Sequence, residues 1–147
     1  MRLSLGMMVT LMAAALMMIP PTNDVLVGQL GACEALAECE ATTELIKRGR
    51  VAVPALVKGL KHDNELVRFW SLGVLSELKD PRSFDPVVAV LGDKMVRVQT
   101  AALFCLGALG DKRATPHLVA ALKHKDVNLR LAATMGLGKL ADPKSAD

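Results

Sequence analysis

A 31-residue period runs through this chain from Val53 onward and limits it to one kind of architecture. The stretch from Thr115 to Asp142, TPHLVAALKHKDVNLRLAATMGLGKLAD, reads as a short helix, a tight turn and a longer helix. The same pattern stands 31 residues earlier, from Phe84 to Asp111, and 31 before that, from Val53 to Asp80. The short-helix stripe is Val53, Leu56, Val57, Leu60 in the first unit and Phe84, Val87, Val88, Leu91 in the second. In the third it is Leu118, Val119 and Leu122, with Thr115 as the polar exception. Spacing of i, i+3, i+4, i+7 puts each set on one face of a helix. Pro54, Pro86 and Pro116 fall in or near the first turn, where a missing N–H costs nothing. Two turns of helix are not stable alone in water, so each short helix needs a partner.

The longer helix supplies it. Val67, Val98 and Leu129 form one column, followed by Ser71, Ala102 and Ala133, then Leu75, Leu106 and Leu137, then Leu78, Leu109 and Leu140. Steps of 4, 4 and 3 keep these on one face, with Val74, Cys105 and Gly136 on the same stripe. The small column at Ser71, Ala102 and Ala133 lets two helix axes approach closely. Asp80, Asp111 and Asp142 close the units. Three units in register without an insertion are an array of helical hairpins. Only four residues are aromatic, Phe69, Trp70, Phe84 and Phe104, which suits close-packed helices and not a β-sandwich. The fold class is all-α.

The units resemble HEAT-like repeats in the short form also found in the phycobiliprotein-lyase group. That pattern has a proline and spaced leucines in the first helix, then Val-Arg-x-x-Ala-Ala and Leu-Gly-x-Leu-Gly-Asp in the second. Here Leu129-Arg130 precedes Ala132-Ala133, Leu137-Gly138-Lys139-Leu140-Ala141-Asp142 follows, and Leu106-Gly107-Ala108-Leu109-Gly110-Asp111 stands in the middle unit. The resemblance covers Arg50 to the end. It implies an α-solenoid, a right-handed superhelix of HEAT-like hairpins with repeats at 53–80, 84–111 and 115–142. Function is left open by it, because the family spans scaffolds, transport factors, adaptors and a few enzymes. In HEAT-like proteins the arginine at Arg68, Gln99 and Arg130 commonly pairs with an aspartate of the inter-helix turn. Asp63 and Asp126 are available to Arg68 and Arg130, whereas Gln99 breaks the ladder at the centre.

Before the repeats lie two further regions. Residues 1–24 read as an export signal or membrane anchor: Leu3 to Ile19 is uncharged, follows Arg2 and precedes Pro20-Pro21. Leu30-Gly31-Ala32-Cys33 resembles the lipobox of bacterial lipoproteins. The expected location is therefore exported, periplasmic or secreted, or membrane-tethered, and cytoplasmic if the start is mis-assigned. Residues 25–50 read as an N-terminal cap, with Ala32 to Arg48 as a helix and Trp70 packed against it. On one helix Cys33 and Cys39 point about 240° apart, and with three cysteines no disulfide framework is implied.

Two faces are candidates for function. The outer face of the long helices carries Phe69, Leu72, Leu103, Phe104, Leu131 and Met135, with Gly73, Ser76, Gly107 and Gly138 beside them. Either neighbouring helices bury this face within the array, or it is a groove for another protein or an apolar peptide segment. The last hairpin has no cap, so either it continues in a longer array or it meets another chain by self-association. Catalytic chemistry is not evident. His62, His117 and His124 form no His-Glu dyad or cysteine-histidine cluster, no phosphate loop or nucleophile elbow occurs, and no metal or cofactor is expected. The net charge of +3 is spread over both edges among aspartates, which disfavours nucleic acid. The expected function is a non-catalytic interaction scaffold. A chromophore (phycobilin) lyase-like subunit and a nucleic-acid-binding module are the alternatives, and membrane contact is expected only through the N-terminal segment.

Overall fold

The computed structural model describes residues 20–141. Leu3 to Ile19 and the Asp142-Pro143 turn lie outside them. Among the described residues there are eight α-helices and no strand. They are α1 (Asn23–Gln29), α2 (Glu40–Arg48), α3 (Val53–Gly59), α4 (Glu65–Leu78), α5 (Phe84–Ala89), α6 (Val96–Leu109), α7 (Thr115–Ala121) and α8 (Val127–Ala141). Short helices α1 and α3 pack side by side, long helices α4, α6 and α8 form the opposite layer, and each short helix packs on the long helix that follows it. The fold is an all-α solenoid.

The two layers close over the columns of the repeat. Leu56, Val87 and Leu118 of the short helices are fully buried against Val67, Leu75, Val98 and Leu106 of the long ones. Full burial of each such side chain contributes about 1.5–3 kcal/mol. Pro54 and Pro116 occupy the first turns of α3 and α7. Asn64 caps α4, its side chain accepting from the Leu66 N–H at 2.8 Å. In the second unit the Asp93 carboxylate takes the Met95 N–H instead, at 2.9 Å. The long helices end in left-handed residues at equivalent positions, Lys79 with φ 49° and Gly110 with φ 71°.

The turns between units are built by an Asp-x-Arg motif. Asp80 accepts from the Arg82 N–H, and Arg82 folds back so that Nε and Nη2 donate to both carboxylate oxygens at 2.9 and 2.8 Å. Asp111 and Arg113 repeat the arrangement, and Arg113 also lies 4.1 Å over the Phe84 ring. The buried Asp80 carboxyl is pulled down to about 2, chiefly by Arg82.

The cap departs from the sequence expectation in three ways. The first described helix, α1, starts at Asn23, within the segment assigned to the signal or anchor, and this region buries Leu26, Val27 and Leu30. Ala32 to Arg48 is not one helix: a 3-10 turn covers Leu30–Ala32, residues 33–39 form a loop, and α2 starts at Glu40. Cys33 and Cys39 are joined by a disulfide, with Cα atoms 5.5 Å apart. The 240° separation applies only to a continuous helix, and the loop turns the two side chains together. Trp70 does meet this cap, its Nε1 donating to the Cys33 carbonyl at 3.0 Å.

A candidate partner-binding cleft on the long helices

Three parallel rows of side chains on α4, α6 and α8 leave a cleft of about 390 Å³ between them. Phe69 and Trp70 form one side, their rings in edge contact at 4.8 Å. Phe104, Thr100 and Ala101 form the floor on α6, and Leu131, Ala132 and Met135 the other side on α8. Leu36, carried by the disulfide loop, closes one end beside Gly73. The loop is held there by the Cys33–Cys39 bond and by Thr42, whose hydroxyl donates to the carbonyls of Leu36 and Cys39.

The face divides between the two alternatives that the sequence leaves open. Leu103 is buried in the core and does not line the cleft; Leu72 lines it but is also fully buried. Gly107, expected on the open face, is buried against the backbone of Gly136, where α6 crosses α8. Phe69 and Phe104 are partly covered, whereas Leu131 at 58% and Met135 at 49% exposure are open to solvent. The sequence places Leu36 and Trp70 only at the cap; their role as cleft wall depends on the loop conformation, which periodicity does not report. Ser76, Glu77 and Asn128 complete the lining.

Cations stand at the aromatic rings of the cleft. The Arg97 guanidinium lies 4.7 Å from the Phe69 ring centre and also 3.9 Å from Glu65, and Lys139 Nζ lies 4.5 Å from the Phe104 ring centre. Apolar floor and cationic rim together suit an apolar segment with acidic residues beside it.

The arginine column takes a form other than the one expected from the family. Arg68 uses Nη1 for the carbonyls of His62 and Asp63 at 2.8 and 3.0 Å, and its Nε and Nη2 for both oxygens of Asp93 at 2.7 and 3.1 Å. Its carboxylate partner is therefore in the next unit, not Asp63 in its own turn. Burial raises the Asp93 carboxyl, but the bonds from Arg68 and the Met95 N–H outweigh it and hold the group below the usual carboxylate range. Gln99 does not leave a gap in its own turn, since its Nε2 donates to the Asp93 carbonyl. Arg130 bonds the carbonyls of His124 and Lys125, while Asp126 takes the Asn128 N–H. No group of three His, Cys, Asp or Glu side chains that could hold a metal occurs among the described residues, nor does any described helix have the length and apolar character to cross a membrane.

A family model for HEAT repeats matches residues 93–147, which take in the long helix of the second hairpin and the third hairpin. The chain carries HEAT-like repeats. Its two-layer hairpin array is similar to a chain of the complex of CpcE and CpcF of phycocyanin lyase from Nostoc sp. PCC7120. The sequences are 27% identical over 80% of this chain and 77% of that one, with a TM-score of 0.71. No curated protein matches the sequence. The HEAT-like array thus extends through the Val53 unit, which the family model does not reach.

Proposed function

We propose that this HEAT-like protein is a non-catalytic interaction module that holds an apolar helical segment of another protein in the cleft across α4, α6 and α8. The observation that carries this reading is the pairing of exposed Leu131 and Met135 with the Phe69 and Phe104 rings in one concave site. An amphipathic helix with anchors at i, i+3 or i+4, and i+7 fits such a site, and an acidic residue on it reaches Arg97 or Lys139. The disulfide supports a place for the protein in an oxidising compartment, as the N-terminal apolar stretch does.

Selection from a displayed peptide library on the purified chain tests the reading. Enrichment of amphipathic helical sequences, abolished by Leu131→Glu with Met135→Glu while the thermal melt is retained, supports it. Failure to enrich any helical sequence, or enrichment that ignores both substitutions, rejects it.

A second reading has one observation in its favour, the similarity to the phycocyanin lyase complex. On that reading the chain is a lyase-like subunit acting beside another repeat protein. Mixing it with phycocyanin lacking its chromophore and a bilin, with and without a second HEAT-like subunit, decides the matter by the visible absorbance of a covalent adduct.

A further inference from the structure

The first repeat has no side chain where the other two carry one. Gly73 stands in the column of Phe104 and Met135, the row that lines the cleft on α4, α6 and α8. Leu36, from the loop between Cys33 and Cys39, takes the empty place: a Cβ built at Gly73 would stand 3.2 Å from Leu36 Cδ1 and 3.7 Å from the Trp70 ring. The cleft is therefore ended by a side chain of the cap and not of the array. Glu34, Ala37 and Glu38, on either side of Leu36, are exposed, so the outer side of the loop is open to solvent.

The two ends of the loop are anchored to the body independently of the disulfide. Cys33 donates its N–H to the Leu30 carbonyl at 3.2 Å and accepts from Trp70 Nε1 at 3.0 Å. Cys39 opens α2, its carbonyl accepting from the Thr43 N–H at 3.1 Å. The middle is held more weakly. The Leu36 carbonyl shares the single Thr42 hydroxyl proton with the Cys39 carbonyl, and the Cys33–Cys39 bond closes the span around it. Cys33 is buried whereas Cys39 is half-buried, so a thiol arriving from solvent reaches the Cys39 sulfur first.

We propose that the Cys33–Cys39 bond is a redox gate on the cleft: closed, it keeps Leu36 over Gly73; opened by a dithiol reductant, it lets Leu36 leave and extends the cleft over Gly73 and Trp70. The inference rests on the reading of the cleft as a binding site and adds its regulation. The step is thiol–disulfide exchange. A thiolate of the dithiol attacks Cys39 Sγ, the S–S bond breaks and Cys33 departs as a thiolate; the second thiolate of the reductant then displaces Cys39. The dithiol gives up two electrons and two protons and leaves as a disulfide, and Cys33 and Cys39 become thiols. Cys105, buried in the core, takes no part.

Titration of the full chain, oxidised and dithiol-reduced, with the dye anilinonaphthalene sulfonate tests the gate, since the dye pairs an apolar body with one anionic group. Reduction uncovers apolar surface of about one leucine, and dye affinity should rise about ten-fold with the helical circular dichroism unchanged. Leu36→Ala in the oxidised chain should give the same gain, and reduction should add nothing to it. Leu131→Glu with Met135→Glu should abolish binding in both states. Dye binding that those two substitutions remove but that is equal in the oxidised and reduced chains overturns the gate and leaves the cleft standing. Binding that ignores them, or no binding in either state, overturns the cleft reading and the gate with it. Two further results overturn the gate alone: a gain on reduction that Leu36→Ala does not reproduce, and a gain that appears only as the helix signal is lost.

Discussion

Gly107 of α6 lies directly on the backbone of Gly136 of α8: a Cβ added at Gly107 would stand 2.4 Å from the Gly136 Cα and 2.6 Å from its carbonyl oxygen. Two glycines, one from each long helix, set how closely the second and third repeats approach. Gly107→Ala therefore cannot be absorbed by a side-chain rotation, and α8 must move away. The expected loss is about 1–3 kcal/mol, as for other overpacked sites, read as a lower melting temperature. Gly138→Ala is the internal control. A methyl group at that helical glycine would meet nothing within 4 Å, so the change should stabilise by about 0.5–1 kcal/mol.

Lys79 and Gly110 end their helices in the same left-handed conformation, at φ 49° and 71°. Only the second has the residue type that adopts it without a Cβ penalty. Lys79→Gly should raise stability by up to about 1 kcal/mol, measured by chemical denaturation. An equal or lower midpoint would mean that the lysine side chain makes up the difference elsewhere.

Acid sensitivity should arise in the turns. Asp80 and Asp93 both have folded-state values below the ordinary carboxylate value, Asp80 at about 2 through Arg82 and Asp93 through Arg68 and the Met95 N–H against the opposing effect of burial. The unfolded chain then binds protons at higher pH than the folded one. The stability these carboxylates contribute is complete above the unfolded value near 3.8 and is lost as pH falls through the folded values. The melting temperature should drop between pH 4 and about 2. Asp93→Asn should shrink that drop while lowering stability at pH 7, because it leaves the buried Arg68 without its charge partner, a change that costs about 3–5 kcal/mol.

What is legible in the sequence follows from range. Columns such as Leu75, Leu106 and Leu137 are visible because burial on one helical face leaves a local spacing, and the spacing repeats. The Arg68–Asp93 bond is not visible: the family pattern points to an aspartate in the same turn, and the true partner lies 25 residues on, across a repeat boundary. Helical phase puts Gly107 on the open face because it says which side a residue is on, not whether another helix crosses there. The cleft shows the same limit. Period alone finds Phe69, Phe104, Leu131 and Met135, whereas Leu36 enters only through a loop whose path is hidden by the assumption of one helix from Ala32 to Arg48.

That loop supplies the last prediction. The Cys33–Cys39 bond closes it, Cys105 is the remaining thiol, and burial pushes the Cys105 group up to about 12. A thiol reagent should find no fast-reacting group in the native protein, one after denaturation, and three after denaturation with a dithiol reductant. Removing the disulfide frees only a short loop, so the entropic loss is about 2 kcal/mol. Its structural effect is more specific. The single tryptophan, Trp70, donates to the Cys33 carbonyl and packs beside Leu36 at the end of the cleft. Reduction, or Cys33→Ser with Cys39→Ser, should therefore shift Trp70 emission to longer wavelength while far-ultraviolet circular dichroism stays nearly constant, since α3 to α8 do not depend on the loop for their hydrogen bonds. A loss of helix signal in step with the fluorescence change would instead mean that the cap is required for the whole array to fold, and that the cleft cannot open at that end without unfolding.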